Sequence, residues 1–186
     1  MERLGQEQPA GGAGAARILL FTGEGKGKTT AALGLALRAA GHGMRVLVLQ
    51  FVKGGQKTGE LAAARQIPGF DIEQRGCGFV PAEGSAEFAV HRQAAEAVLR
   101  EADGALKSGT YDVVVLDELC LAVAKNLVTE QAALDVVGHA QPGSVLVLTG
   151  RGATPGLIEA ADTVTEMCLR KHGLKAGVKA QRGVEY

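Results

Sequence analysis

The 186 residues are enough for one ordinary domain, and with 46% hydrophobic but only 4% aromatic residues and no Trp, its core must be built from Ala, Val and Leu, without disulfides or structural metal. Twenty Lys and Arg balance twenty Asp and Glu; this removes the broad positive field that nonspecific nucleic-acid or membrane-surface binding needs, and it favours a small-molecule partner. The cysteines, Cys77, Cys120 and Cys168, are far apart with no Cys-x-x-Cys pair, and no stretch approaches the roughly 18 apolar residues of a membrane span, so free thiols in a cytoplasmic protein are expected.

Met1 to Ala16, with Gln, Gly, Pro and Ala and little to bury, reads as a disordered leader, and a single domain is expected from 17 to 186. Arg17 to Thr22 is a short apolar run that meets glycines at once, the pattern of a buried strand entering a turn. Thr29 to His42 is apolar on nearly every side and stops at Gly41-His-Gly43, as a helix buried beside a sheet would. Arg45 to Val52 is a second strand, completing a βαβ unit. A weaker strand is expected at Phe70 to Gln74, followed by the glycine-broken loop Arg75 to Pro81. Ser85 to Lys107 carries apolar residues at 88, 95, 98, 99, 102 and 106, the spacing of an amphipathic surface helix. Tyr111 to Glu118 is a buried strand ending in two carboxylates. A helix over Glu130 to His139, a strand over Ser144 to Thr149, a helix over Pro155 to Ala161 and a strand over Thr163 to Met167 continue the alternation. The tail from Lys171, with Lys175, Lys179 and Arg182, reads as a solvated basic segment.

Gly23-Glu-Gly-Lys-Gly-Lys-Thr-Thr30 sits after an apolar strand and at the start of a helix, the context that a phosphate-binding loop requires. Glycines let the backbone turn its N–H groups inward, the helix N-terminus adds a positive end, and Lys28 supplies charge for the outer phosphates. Thr29 can place its hydroxyl on Mg²⁺. The usual pattern opens with Gly where this chain has Thr22, so the loop is atypical at its first position. With the βα alternation, this predicts an α/β fold of the P-loop NTPase, RecA-like class: one catalytic domain with a mostly parallel sheet, helices on both faces, and ligands at the carboxyl ends of the strands. Asp117 and Glu118 end the most hydrophobic strand. Asp117 suits the magnesium shell; for Glu118, polarising a water, receiving a proton and bonding a ribose hydroxyl all stay open.

These segments, together with Arg38, Gln50-Phe-Val-Lys-Gly54, Leu116-Asp-Glu-Leu119, Thr149-Gly-Arg151, Ala161-Asp162, Lys171-His172 and Gly183-Val-Glu-Tyr186, occur in an order that closely resembles the P-loop type of corrinoid adenosyltransferase, from about Arg17 to Tyr186. The resemblance implies that Co(I) of a reduced corrinoid attacks the 5′ carbon of ATP, releasing tripolyphosphate, in adenosylcobalamin biosynthesis or salvage. The nucleotide would lie reversed in the loop, which accommodates the Thr22 start.

By position, Gly23, Glu24, Gly25, Lys26, Gly27, Lys28, Thr29 and Thr30 would cradle the triphosphate, Thr29 would ligate Mg²⁺ with Asp117 nearby, and Glu118 would bond the ribose. Arg38 and Arg151 would add phosphate charge. Family members use aromatic residues to displace the lower axial ligand of Co(II); the matching loop keeps Phe79 but has Pro81 where some members carry Trp. Lys28, Glu118 and Phe79 are thus the expected catalytic residues. His42, His91, His139 and His172 show no metal spacing. A homodimer and an electron donor for Co(II) are implied as partners, with neither nucleic acid nor membrane. An ATP-hydrolysing RecA-like motor or switch is the competing reading, and a nucleotide-sensing module without catalysis ranks below it.

Overall fold

A computed structural model describes residues 14–55, 58–173 and 177–184. Most of the expected leader, Lys175, and the final Glu185 and Tyr186 lie outside them. Six strands run β1 (Arg17–Thr22), β2 (Val46–Gln50), β3 (Phe70–Gln74), β4 (Val113–Asp117), β5 (Val145–Thr149) and β6 (Thr163–Glu166). They form one sheet in the order β3-β2-β4-β5-β1-β6, and all five pairings are parallel.

Helices α1 (Lys28–Gly41) and α2 (Gly59–Ala64) cover one face of the sheet, and α3 (Ala86–Ser108), α4 (Leu119–Ala124), α5 (Glu130–Val137) and α6 (Pro155–Glu159) cover the other. Side chains alternate across a strand, and the central strands divide them by size. Val46, Val48, Val113, Val115 and Val147 meet the alanines of α1 and α2. Leu47, Leu49, Leu116, Leu146 and Leu148 meet the larger side chains of the other helices. Alanines at 32, 36 and 39 form the buried stripe of α1, so this helix lies close against the valine face. Its outer side is solvated, with Leu37 55% exposed, which corrects the expectation of a helix apolar and buried nearly all round.

The buried residues of α3 are the six whose spacing announced it, and Ser85 caps it by accepting the Phe88 N–H at 3.1 Å. Helices α2 and α4 were not anticipated. Each spans six residues, too short for a helical period to register. Helix α4 also starts directly from a strand, without a glycine: Glu118 turns the chain with φ 65 at its N-cap.

The strand order creates the site. The chain leaving β2 crosses one way to β3, while the chain leaving its neighbour β4 crosses the other way to β5. Diverging connections open a crevice at the carboxyl ends of these two strands, where ligands of open parallel sheets collect.

Candidate active site

The loop after β1 wraps the N-terminus of α1, and its glycines serve space as well as turning. Gly25 donates its N–H to the Met167 carbonyl at 2.6 Å, just after β6. A Cβ on Gly23 or Gly25 would lie 2.6 or 2.5 Å from that oxygen, so only glycine lets the chain pass β6. Gly27, with φ 113, caps α1 without a side chain, leaving the first N–H groups of the helix for a ligand.

Lys28 is 6% exposed. Its Nζ donates to the carbonyls of Gly23 and Gly25, both at 2.7 Å, which braces the loop. Burial pulls its ammonium below the ordinary lysine range, and Glu118 opposes this most. Beneath the loop, Asp117 is fully buried and accepts three hydrogen bonds: Thr29 at 2.8 Å and Thr149 at 2.7 Å on Oδ1, and Gln50 at 3.0 Å on Oδ2. Thr149 also accepts the Glu118 N–H at 2.9 Å. One carboxylate thereby orients the hydroxyl at the start of α1 and ties β4 to β2 and β5.

Above these lies a cleft of about 480 Å³. Lys26, Lys28, Thr29 and Thr30 line it together with Lys53, Glu60, Glu118 and Arg151, and Gly183 and Val184 of the tail close one side. Glu118 has Oε2 buried with no hydrogen-bond partner. Burial, then the charge of Asp117, raises its carboxyl above the ordinary range. A carboxyl raised in the folded state costs stability once ionised. The unfolded chain loses this proton first, so the penalty sets in as pH passes the ordinary glutamate range and is complete above the raised value. Glu118→Gln removes it: by calorimetry on the nucleotide-free protein, the variant is expected to melt above wild type at about pH 8 and level with it at about pH 4. Equal melting at the higher pH would contradict this origin of the shift.

Several expected residues are placed elsewhere. Arg38 is exposed in the last turn of α1 and does not line the cleft; ten residues beyond Lys28 puts it about 15 Å along the helix. Glu24 lies outside the lining and accepts from Arg151, which does line the cleft, at 3.0 Å. Phe79 is 95% exposed on the loop after β3, outside the cleft lining. Gln50, Thr149, Lys53 and Glu60 had been given no role. For Gln50 and Thr149 the signal was present: like Asp117, each is the polar last residue of an otherwise apolar strand.

Residues 15–186 match the family model for ATP:corrinoid adenosyltransferase BtuR/CobO/CobP. A corrinoid adenosyltransferase of Pseudomonas aeruginosa is 41% identical over 172 residues, covering 91% of this chain and 83% of the relative. The Escherichia coli K12 corrinoid adenosyltransferase and Salmonella typhimurium corrinoid adenosyltransferase CobA are each 39% identical, with 91% of this chain and 85% of the relative covered. The braced glycine loop, the strand-end carboxylates and a match spanning the described fold agree: the chain belongs to the ATP:corrinoid adenosyltransferase family, a family of transferases.

Proposed function

We propose that the protein transfers the 5′-deoxyadenosyl group of ATP to Co(I) of a reduced corrinoid, with release of tripolyphosphate, in adenosylcobalamin biosynthesis or salvage. The family supports the reaction class, and the observation that carries the chemistry is the cleft in which Lys28, the α1 N-terminus and Thr29 converge. In this reading the cobalt electron pair forms the bond to C5′, and the C5′–O electrons leave with the polyphosphate. The nucleophile is the substrate's own metal, so no general base is required. The protein's work is positioning and charge stabilisation.

The residues fit a magnesium ion, which would neutralise charge on the leaving polyphosphate. Thr29 and Asp117 offer hard oxygen donors 2.8 Å apart, and Mg²⁺ takes one or two such groups and leaves its other positions to phosphate and water. Asp117 has both oxygens engaged and no exposed surface, so its part would be to aim the Thr29 hydroxyl and to hold a negative charge beside the ion. Glu118, which lines the cleft from a left-handed residue, is suited to receive ribose hydroxyls on its carboxylate. In the same proposal the enzyme is a cytoplasmic homodimer served by a one-electron donor for Co(II); among the described residues no helix is long and apolar enough to cross a membrane.

Anaerobic incubation with ATP, Mg²⁺ and chemically reduced corrinoid should yield adenosylated corrinoid and tripolyphosphate in equal amounts. ADP and phosphate formed without corrinoid would favour a hydrolytic motor or switch instead. Phe79 is assigned to the cobalt face, because an almost fully exposed aromatic ring gains by packing on a flat, apolar partner. Phe79→Ala should slow turnover that starts from Co(II) at least tenfold more than turnover of pre-reduced Co(I), on the order of one displaced aromatic contact. Its stability should stay within about 0.5 kcal/mol of wild type. Equal losses on both substrates would remove Phe79 from cobalt activation.

A further inference from the structure

Lys53 lies just beyond β2, and its Nζ donates to Glu60 Oε1 at 2.9 Å across the turn into α2. Both line the cleft that holds Lys28, Glu118 and Arg151, and both are largely buried, with side chains 29% and 21% exposed. Burial acts to raise the Glu60 carboxyl, but the bond from Lys53, the residue's own backbone N–H, the Lys53 charge and the Thr58 hydroxyl outweigh it and hold it below the ordinary range. The Glu60 carboxyl is therefore ionised at neutral pH.

The backbone under Lys53 is pinned. Its carbonyl accepts from Gly76 at 2.9 Å, and the Val52 carbonyl accepts from Gly78 at 2.8 Å. Gly54 and Gly76 approach so closely that a Cβ on Gly54 would fall 1.7 Å from the Gly76 oxygen. A fixed backbone carrying a long flexible stem allows the ammonium to reach without moving the loop. The ammonium has three N–H donors, and the pairing with Glu60 uses one.

We propose that Lys53 is a further binding residue for the polyphosphate of the nucleotide, aimed into the cleft by Glu60, a positioning residue. The inference rests on the nucleotide reading of the cleft given above. Lys53 lines the same cleft as Lys28, Thr29 and Thr30, and a multiply charged polyphosphate held there attracts a half-buried ammonium strongly.

The test uses the full chain and two probes, ATP with Mg²⁺ and inorganic tripolyphosphate, with binding measured by calorimetry and melting followed in parallel. Lys53→Met is expected to bind both probes about tenfold more weakly, the scale of one charge-assisted hydrogen bond. Lys53→Arg should recover most of the loss. Glu60→Gln keeps an acceptor for Lys53 but removes the competing charge, so its affinity for the anions should not fall. If the pair were only a staple between β2 and α2, both Lys53→Met and Glu60→Gln would melt lower and leave binding at the wild-type level. That result overturns the inference, as does an equal loss of affinity in the two variants. Failure of the wild-type protein itself to bind ATP with Mg²⁺ would instead remove the nucleotide reading on which it stands.

Discussion

Lys28→Ala is expected to lower kcat/KM for ATP by about 10³-fold or more, the scale seen when a buried electrostatic contact to developing charge is removed. The residue sits at the base of the cleft, 6% exposed, and its ammonium is held on two carbonyls of its own loop. A phosphate entering the loop would meet that charge in a setting from which water is largely excluded, where it acts more strongly than in solvent. Burial already disfavours the charged form, so an incoming anion also relieves an existing cost. The expected loss of stability is smaller, about 1–2 kcal/mol, because the freed Gly23 and Gly25 carbonyls face a cleft that water can enter. Steady-state kinetics against ATP, with melting measured alongside, separates the two effects. Near-normal turnover would mean that the phosphates bind elsewhere.

The architecture was legible in the sequence because the central strands are written almost without interruption in Val and Leu, which only a sheet covered on both faces demands. A glycine turn between β1 and α1 was legible from the sequence, and the structure adds why its glycines cannot be replaced: the backbone just after β6 passes within a methyl group of Gly23 and Gly25. What stayed hidden depended on contacts between distant segments. Gln50 and Thr149 from two strand ends and Thr29 from the start of α1 meet on Asp117, and no local pattern joins residues so far apart in the chain. Arg38 lies apart from the cleft lining for a local reason. Its neighbours are apolar, but helical rotation carries it to the solvated side of α1, and an arginine there needs no anion to satisfy it.

Asp117 separates scaffold from chemistry through two substitutions with different outcomes. Asp117→Ala leaves the Thr29 and Thr149 hydroxyls and the Gln50 amide aimed at a buried void, at a cost of about 3 kcal/mol, or roughly 6–12 °C in Tm for a domain of this size. Asp117→Asn should be tolerated far better. Its carbonyl oxygen can still accept from the two hydroxyls, and Gln50 can turn its amide so that Oε1, now without a partner, accepts from the new NH₂ group. The fold is then kept, but the negative charge beside Thr29, which would help to hold a magnesium ion at that hydroxyl, is gone. Turnover by Asp117→Asn should therefore fall by about 10²-fold or more while Tm stays within a few degrees of wild type, with the Mg²⁺ concentration needed for half-maximal rate clearly raised. An Asp117→Asn protein that folds, turns over and responds to Mg²⁺ like wild type would confine this carboxylate to joining strands and leave the metal to be held by other groups.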